Sequence, residues 1–253
     1  MRSQWLCIAL LAVAFPPHAI LIRPDRDDAE YLELATRYPS SIPLGAPDGE
    51  GTLIAPRWVL TAAHMAKALQ ELKTAPKLSI GNASHAIEAI FIHPDWTKGG
   101  HSDIALLLLS AAVQGVEPTP IHRAQDEGGR TVIVVGHGYT GKIGANPARA
   151  DWDGKKRAAI NTVDRVTPRI LGLRIKGNDD ASDLQGAAAP GDSGGPAFIE
   201  TKEGIFLVGV GYATDDANAD GIVGNIGDWE LYARVSAFAE WIDRTMWEAA
   251  LRP

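Results

Sequence analysis

From residue 51 onward, short apolar runs alternate with turn-forming residues. The runs GTLIAPRWVLTAAH, IEAIFIHP, DIALLLLS, TVIVVGHG, RAAINTV, ILGLRI and GIFLVGVGY are rich in Val, Ile, Leu and aromatic residues. They read as strands, and Gly and Pro clusters, which set turns, separate them. Many short strands with few helices predict an all-β barrel or sandwich. Helical spacing occurs in three places. In RPDRDDAEYLELATRYP, the residues Tyr31, Leu34, Ala35 and Tyr38 fall at that spacing, which predicts a solvated surface segment with one short helical turn. AAHMAKALQEL, residues 62–72, predicts a short helix. Near the C-terminus, SAFAEWIDRTMWEAALR sets Phe238, Trp241, Ile242 and Met246 on one face, with Ser236 placed to cap the start. The stretch 110–130 is polar and holds Pro118 and Pro120, so it reads as a connection between two β units. No internal repeat or low-complexity tract interrupts this pattern.

The first 19 residues differ from the rest. Arg2, an apolar stretch over 5–15 and small Ala19 have the layout of an export signal, and the stretch is too short to span a bilayer. Cys7, the single cysteine, lies inside it, so the exported chain carries no disulfide and depends on core packing. With 253 residues, 45% of them hydrophobic, a sizeable core is available. The 24 basic and 31 acidic residues give a net charge of -7, which argues against nucleic acid or an anionic membrane as partner. The expectation is a secreted or periplasmic monomer, free of the membrane after signal cleavage, with no cofactor and no metal.

Candidate chemistry centres on APGDSGGPAF, residues 189–198. A serine among glycines is either a plain loop or a nucleophile on a tight turn, where glycine lets a substrate carbonyl approach bare backbone N–H groups. The second reading needs a base and an orienting carboxylate. His64 closes RWVLTAAH, and Asp103 opens the apolar run ALLLL. A carboxylate at the mouth of an apolar strand is costly to bury without a partner such as an imidazole N–H. A structural histidine and a strand-start cap are the plainer alternatives for these two residues.

Taken together, WVLTAAH, SDIALL and GDSGGP, in that order, resemble the chymotrypsin-like (trypsin superfamily) serine proteases, in a form without disulfides such as bacteria export. The order His, Asp, Ser is that family's. His64 precedes Asp103 by 39 residues, and Asp103 precedes Ser193 by 90. VVGHGYTG resembles the start of the family's second barrel, and ELYARVSAFAEWI its last strand and closing helix. The resemblance implies two antiparallel six-stranded Greek-key barrels with a C-terminal helix, the first over about 20–115 and the second over about 120–253. It implies a His64–Asp103–Ser193 triad, an oxyanion hole from the N–H groups of Gly191 and Ser193, and protein or peptide substrates. It also implies an ion pair between Asp192 and the α-amine of a new N-terminus at Ile20, created by signal cleavage or by removal of a short propeptide.

Several positions depart from the family pattern. Met65 follows the histidine where a cysteine is common, and GHG with His137 replaces GWG. GVGYAT around Tyr212 replaces a Ser-Trp-Gly segment that pairs with substrate backbone and supports the catalytic aspartate. Ala187 stands where trypsins carry the pocket aspartate. Glu230, two residues before Tyr232, reads either as a solvated strand-edge residue or as a replacement charge in the specificity pocket. DANADGI, from Asp216 to beyond Asp220, matches the first half of a calcium loop but has Gly227 at the twelfth position, so a turn-rich acidic loop is the simpler reading. Two other functions remain open: an inactive protease-fold binding module, and an esterase on an α/β-hydrolase fold. The second needs G-x-S-x-G with alternating helices, and this chain has Asp192 before the serine in an all-β pattern.

Overall fold

The computed structural model describes residues 20–45, 49–97, 100–144, 151–177, 180–189 and 191–251. The proposed signal peptide and Cys7 lie outside these residues. The fold is all-β, with two barrel-like halves and one C-terminal helix.

The first half is a six-stranded antiparallel sheet. Its members are β2 (Ser41–Pro43), β3 (Glu50–Ala55), β4 (Trp58–Thr61), β5 (Lys77–Ile80), β6 (Ala83–Ile92) and β7 (Ala105–Leu109), in the order β2-β3-β4-β7-β6-β5. The strands WVLT and ALLLL are apolar on both faces because they occupy the centre, and all nine of their residues are buried. Their register pairs Thr61 with Ala105 and Trp58 with Leu108. That antiparallel pairing brings the end of β4, just before His64, beside the start of β7, just after Asp103. The helix α2 (Ala63–Gln70) follows β4 directly.

The second half has a seven-stranded sheet, ordered β11-β8-β15-β16-β17-β13-β12. These strands are β8 (Thr131–Gly136), β11 (Arg157–Thr162), β12 (Arg165–Val166), β13 (Ile170–Arg174), β15 (Pro196–Thr201), β16 (Gly204–Asp215) and β17 (Trp229–Arg234). A smaller sheet adjoins it in the order β10-β9-β1-β14, formed by β10 (Asp151–Trp152), β9 (Tyr139–Lys142), β1 (Leu21–Ile22) and β14 (Gly186–Ala187). Residues Leu21 and Ile22 therefore pair with the second half and not with the first sheet.

Two local expectations change. The segment read as solvated is mostly exposed but packs one face: α1 (Asp28–Ala35) is eight residues long and opens with a capping box of Asp27 and Glu30. Tyr31 and Tyr38 are 0% and 1% exposed. Tyr31 Oη donates to Gln185 O at 2.9 Å, and Tyr38 stacks on Phe198 with centroids 5.3 Å apart. The charges around the tyrosines are not simply hydrated, because buried Arg157 binds Asp28 at 2.6 Å and Asp153 at 2.7 Å. The second change concerns α3 (Val235–Ala250). Ser236 lies inside the helix, and the cap position is Arg234 with no side-chain cap. The serine hydroxyl instead donates to the buried carboxylate of Glu127 at 2.5 Å, which also binds Arg234 at 2.7 Å. A buried carboxylate is the stronger acceptor, so it draws the hydroxyl away from the helix N–H groups. The apolar face of α3 is as expected, with Phe238, Trp241 and Ile242 buried in the larger core cluster, to which both halves contribute.

Candidate active site

His64 is the second residue of α2. Ala62, at the cap position, has no side-chain acceptor for the first turn's N–H groups. Asp103 supplies one from the segment leading into β7: its Oδ1 accepts from the His64 N–H at 2.9 Å. Its Oδ2 lies 2.9 Å from His64 Nδ1. The helix N-terminus and the imidazole thus satisfy both oxygens of a carboxylate with only 5% of its side chain exposed. The His64 side chain is 33% exposed.

Ser193 sits on the turn between β14 and β15. Gly191 and Gly194 have φ of +102° and +88°. At Gly194 a Cβ would stand 2.1 Å from Glu50 O and 2.3 Å from Thr61 Oγ1, so this turn admits only glycine there. The Ser193 carbonyl accepts from Glu50 N–H at 2.8 Å, and the Gly194 N–H donates to Gly211 O at 2.7 Å. The added Cβ would also be 3.2 Å from Ala62 N. The serine turn is therefore seated on residues 61–62, immediately before His64.

A cavity of about 250 Å³ opens beside Ser193, lined among others by Ala188, Ala189, Tyr212, Val223, Glu230 and Tyr232. Glu230 is 1% exposed, which removes the solvated strand-edge reading. Its carboxylate accepts from the Ala188 N–H, and from Asn161 Nδ2 at 3.3 Å. Burial pushes its carboxyl up to about 8. Ala187 is fully buried opposite Leu21 and does not line this cavity; its neighbours Ala188 and Ala189 do. Tyr212 Oη is buried with no hydrogen-bond partner among the described residues. Burial, with the charge of Asp103 behind it, lifts this phenol to about 12.

Asp192 is buried, and its oxygens accept from Ala189 N–H at 3.0 Å and Gly138 N–H at 3.3 Å. Burial, and then the charge of Glu50, holds its carboxyl well above the ordinary range. Ile20 is 1% exposed in the core of the second half. In the 216–220 loop the carboxylates serve the loop itself. Asp216 accepts from the N–H groups of Asp220 and Gly221 at 3.2 and 3.0 Å, and Asp220 from Ile222 N–H and Asn225 Nδ2 at 2.8 and 2.7 Å. Glu50 was passed over in the sequence. Its signal was the one used for Asp103, an acid opening a buried strand, here between Gly49 and Gly51.

A His–carboxylate pair thus lies on one β half, and the turn that carries a glycine-flanked serine on the other is seated against residues 61–62. Residues 38–242 match the Trypsin family model. The chain belongs to the trypsin family. Among its relatives, "Serine protease SP24D" of Anopheles gambiae is 30% identical over 210 residues, covering 78% of this chain and 71% of that protein. "Phenoloxidase-activating factor 3" of Holotrichia diomphalia is 28% identical over 235 residues, covering 78% of this chain. The chain spans only 63% of the length of that second relative. Both come from insects, so neither speaks for a bacterial type.

Proposed function

We propose that the protein is an exported serine endopeptidase, secreted or periplasmic, that hydrolyses peptide bonds through His64, Asp103 and Ser193. The observation that carries this reading is the doubly bonded His64–Asp103 pair, with the Ser193 turn seated two residues away from the histidine. Ser193 Oγ attacks the scissile carbonyl while His64 takes its proton; Asp103 fixes the tautomer and stabilises the imidazolium. The N–H groups of Gly191 and Ser193 receive the developing oxyanion, each donor of that kind being worth about 100- to 1000-fold in rate. His64 then protonates the leaving amine, and water, activated by the same imidazole, releases the acyl group.

Glu230 and Tyr212 line the side-chain pocket in this reading, and Ala187 supports it from behind. Asp192, buried with only backbone donors among its described partners, takes the α-amine of a chain that starts at Ile20. Labelling with a fluorophosphonate probe tests the whole. The expected result is modification of Ser193 in the mature protein and none in Ser193→Ala. An unmodified, folded Ser193 would leave the inactive binding module as the better reading.

A further inference from the structure

Glu50 opens β3 with 1% of its surface exposed. A carboxylate is costly to bury unless it is paired, so its partners indicate its use. Its backbone grips the nucleophile region: the N–H donates to Ser193 O at 2.8 Å, and the carbonyl accepts from Thr61 Oγ1 at 2.6 Å. Its side chain crosses to the other half. Oε1 accepts from the His137 backbone N–H at 2.8 Å, and Oε2 lies 3.0 Å from His137 Nδ1. The next residue, Gly138, donates its N–H to Asp192 Oδ1 at 3.3 Å. Gly136 passes so close that a Cβ there would fall 2.0 Å from the same oxygen. Residues 136–138 thus wrap the Asp192 carboxylate, and Glu50 clamps the middle one twice.

We infer that Glu50 and His137 are positioning residues: the pair ties the loop around Asp192 to the nucleophile turn, and so holds the Gly191 and Ser193 N–H groups where an oxyanion forms. This inference rests on the reading of Ser193 as nucleophile. Charge balance agrees with it. Glu50 faces Asp192, His137 and Lys156, and burial pushes its carboxyl up against the pull of His137. Asp192 faces Glu50 and Glu230, so three buried carboxylates lie near one another. Lys156 Nζ donates to Tyr38 O at 2.9 Å, and the side chain in direct contact with the Glu50 carboxylate among the described residues is that of His137. The His137 side chain is 18% exposed and lines a cavity of about 150 Å³ with Glu50, Gly138 and Gly191.

The test is a double-mutant cycle on the mature protein with Glu50→Gln, His137→Gln and both together. Each single change should lower kcat for a peptide amide by about ten- to a hundredfold, the scale of a small misplacement of catalytic groups, with KM little changed. The double variant should lose no more than the worse single, since each breaks one link. Multiplied losses, or a lower Tm with kcat intact, would overturn the inference. If Glu50→Gln does not fold, His137→Gln decides alone by the same kcat and KM criterion. Fluorophosphonate labelling of the unaltered protein is run in parallel. If that protein stays unlabelled, the protease reading falls, and amide exchange then tests the link itself. Faster exchange at residues 138 and 191–194 in His137→Gln supports the link, and unchanged exchange refutes it.

Discussion

Glu230 keeps a carboxyl that burial lifts from an ordinary 4.5 to about 8, so near neutral pH it is mostly protonated. The folded state then binds the proton more tightly than the unfolded chain does. Its contribution to stability is complete below about 4.5 and is lost as pH rises through about 8. Glu230→Gln should flatten the fall of Tm across that window, as thermal unfolding against pH would reveal. The same group bears on specificity. A cationic substrate side chain favours the ionised carboxylate, so cleavage after Lys or Arg should rise with pH through about 8, and Glu230→Gln should reduce it far more than cleavage after Leu or Ala. Wild-type protein inactive after basic residues would refute that role. The triad makes a separate prediction. Ser193→Ala and His64→Ala should each abolish turnover, and the double variant should be little worse, because triad members act as a unit. Additive losses in kcat would count against the assignment.

The strands and helices show how local sequence and tertiary contact divide the work. Gly194→Ala should unfold the serine turn, since its φ of +88° is strained for alanine and the methyl would meet Glu50 O at 2.1 Å. A loss of more than about 1 kcal/mol in urea unfolding is expected, together with loss of probe labelling. What was legible in the sequence follows from periodicity: WVLT, ALLLL and TVIVVG are strands, and the apolar stripe of α3 is where spacing put it. His64 and Asp103 were legible because each stands at the end of such a run, and register then brings those ends together. The rest depended on distant partners. Tyr31 is buried because Gln185 receives its hydroxyl, and Ser236 is not the cap because Glu127 lies within reach. Glu50 needed His137, 87 residues away, before its burial made sense. Local pattern carries no record of such pairs.

At the scale of the whole molecule, the start of the described chain belongs to the half that bears the nucleophile. Extending the mature chain by one residue before Ile20 should cost most of the activity if Asp192 takes a free amine, because leaving a buried charge unpaired costs about 3–5 kcal/mol. N-terminal sequencing of exported protein and kcat of the extended variant test this, and full activity in the extended variant would show Asp192 satisfied in some other way. β1 has neighbours on both sides, Gly186–Ala187 along one edge and Gly141–Lys142 along the other. Beyond it, Arg23 Nη1 donates to Ser182 O at 2.9 Å, and Lys142 Nζ to Arg23 O and Arg26 O at 3.3 and 3.2 Å. A strand paired along both margins must lose two sets of backbone bonds to leave. If the amine of Ile20 arms the site as proposed, disarming by departure of this strand is slow. Termination then falls to an inhibitor or to destruction of the chain.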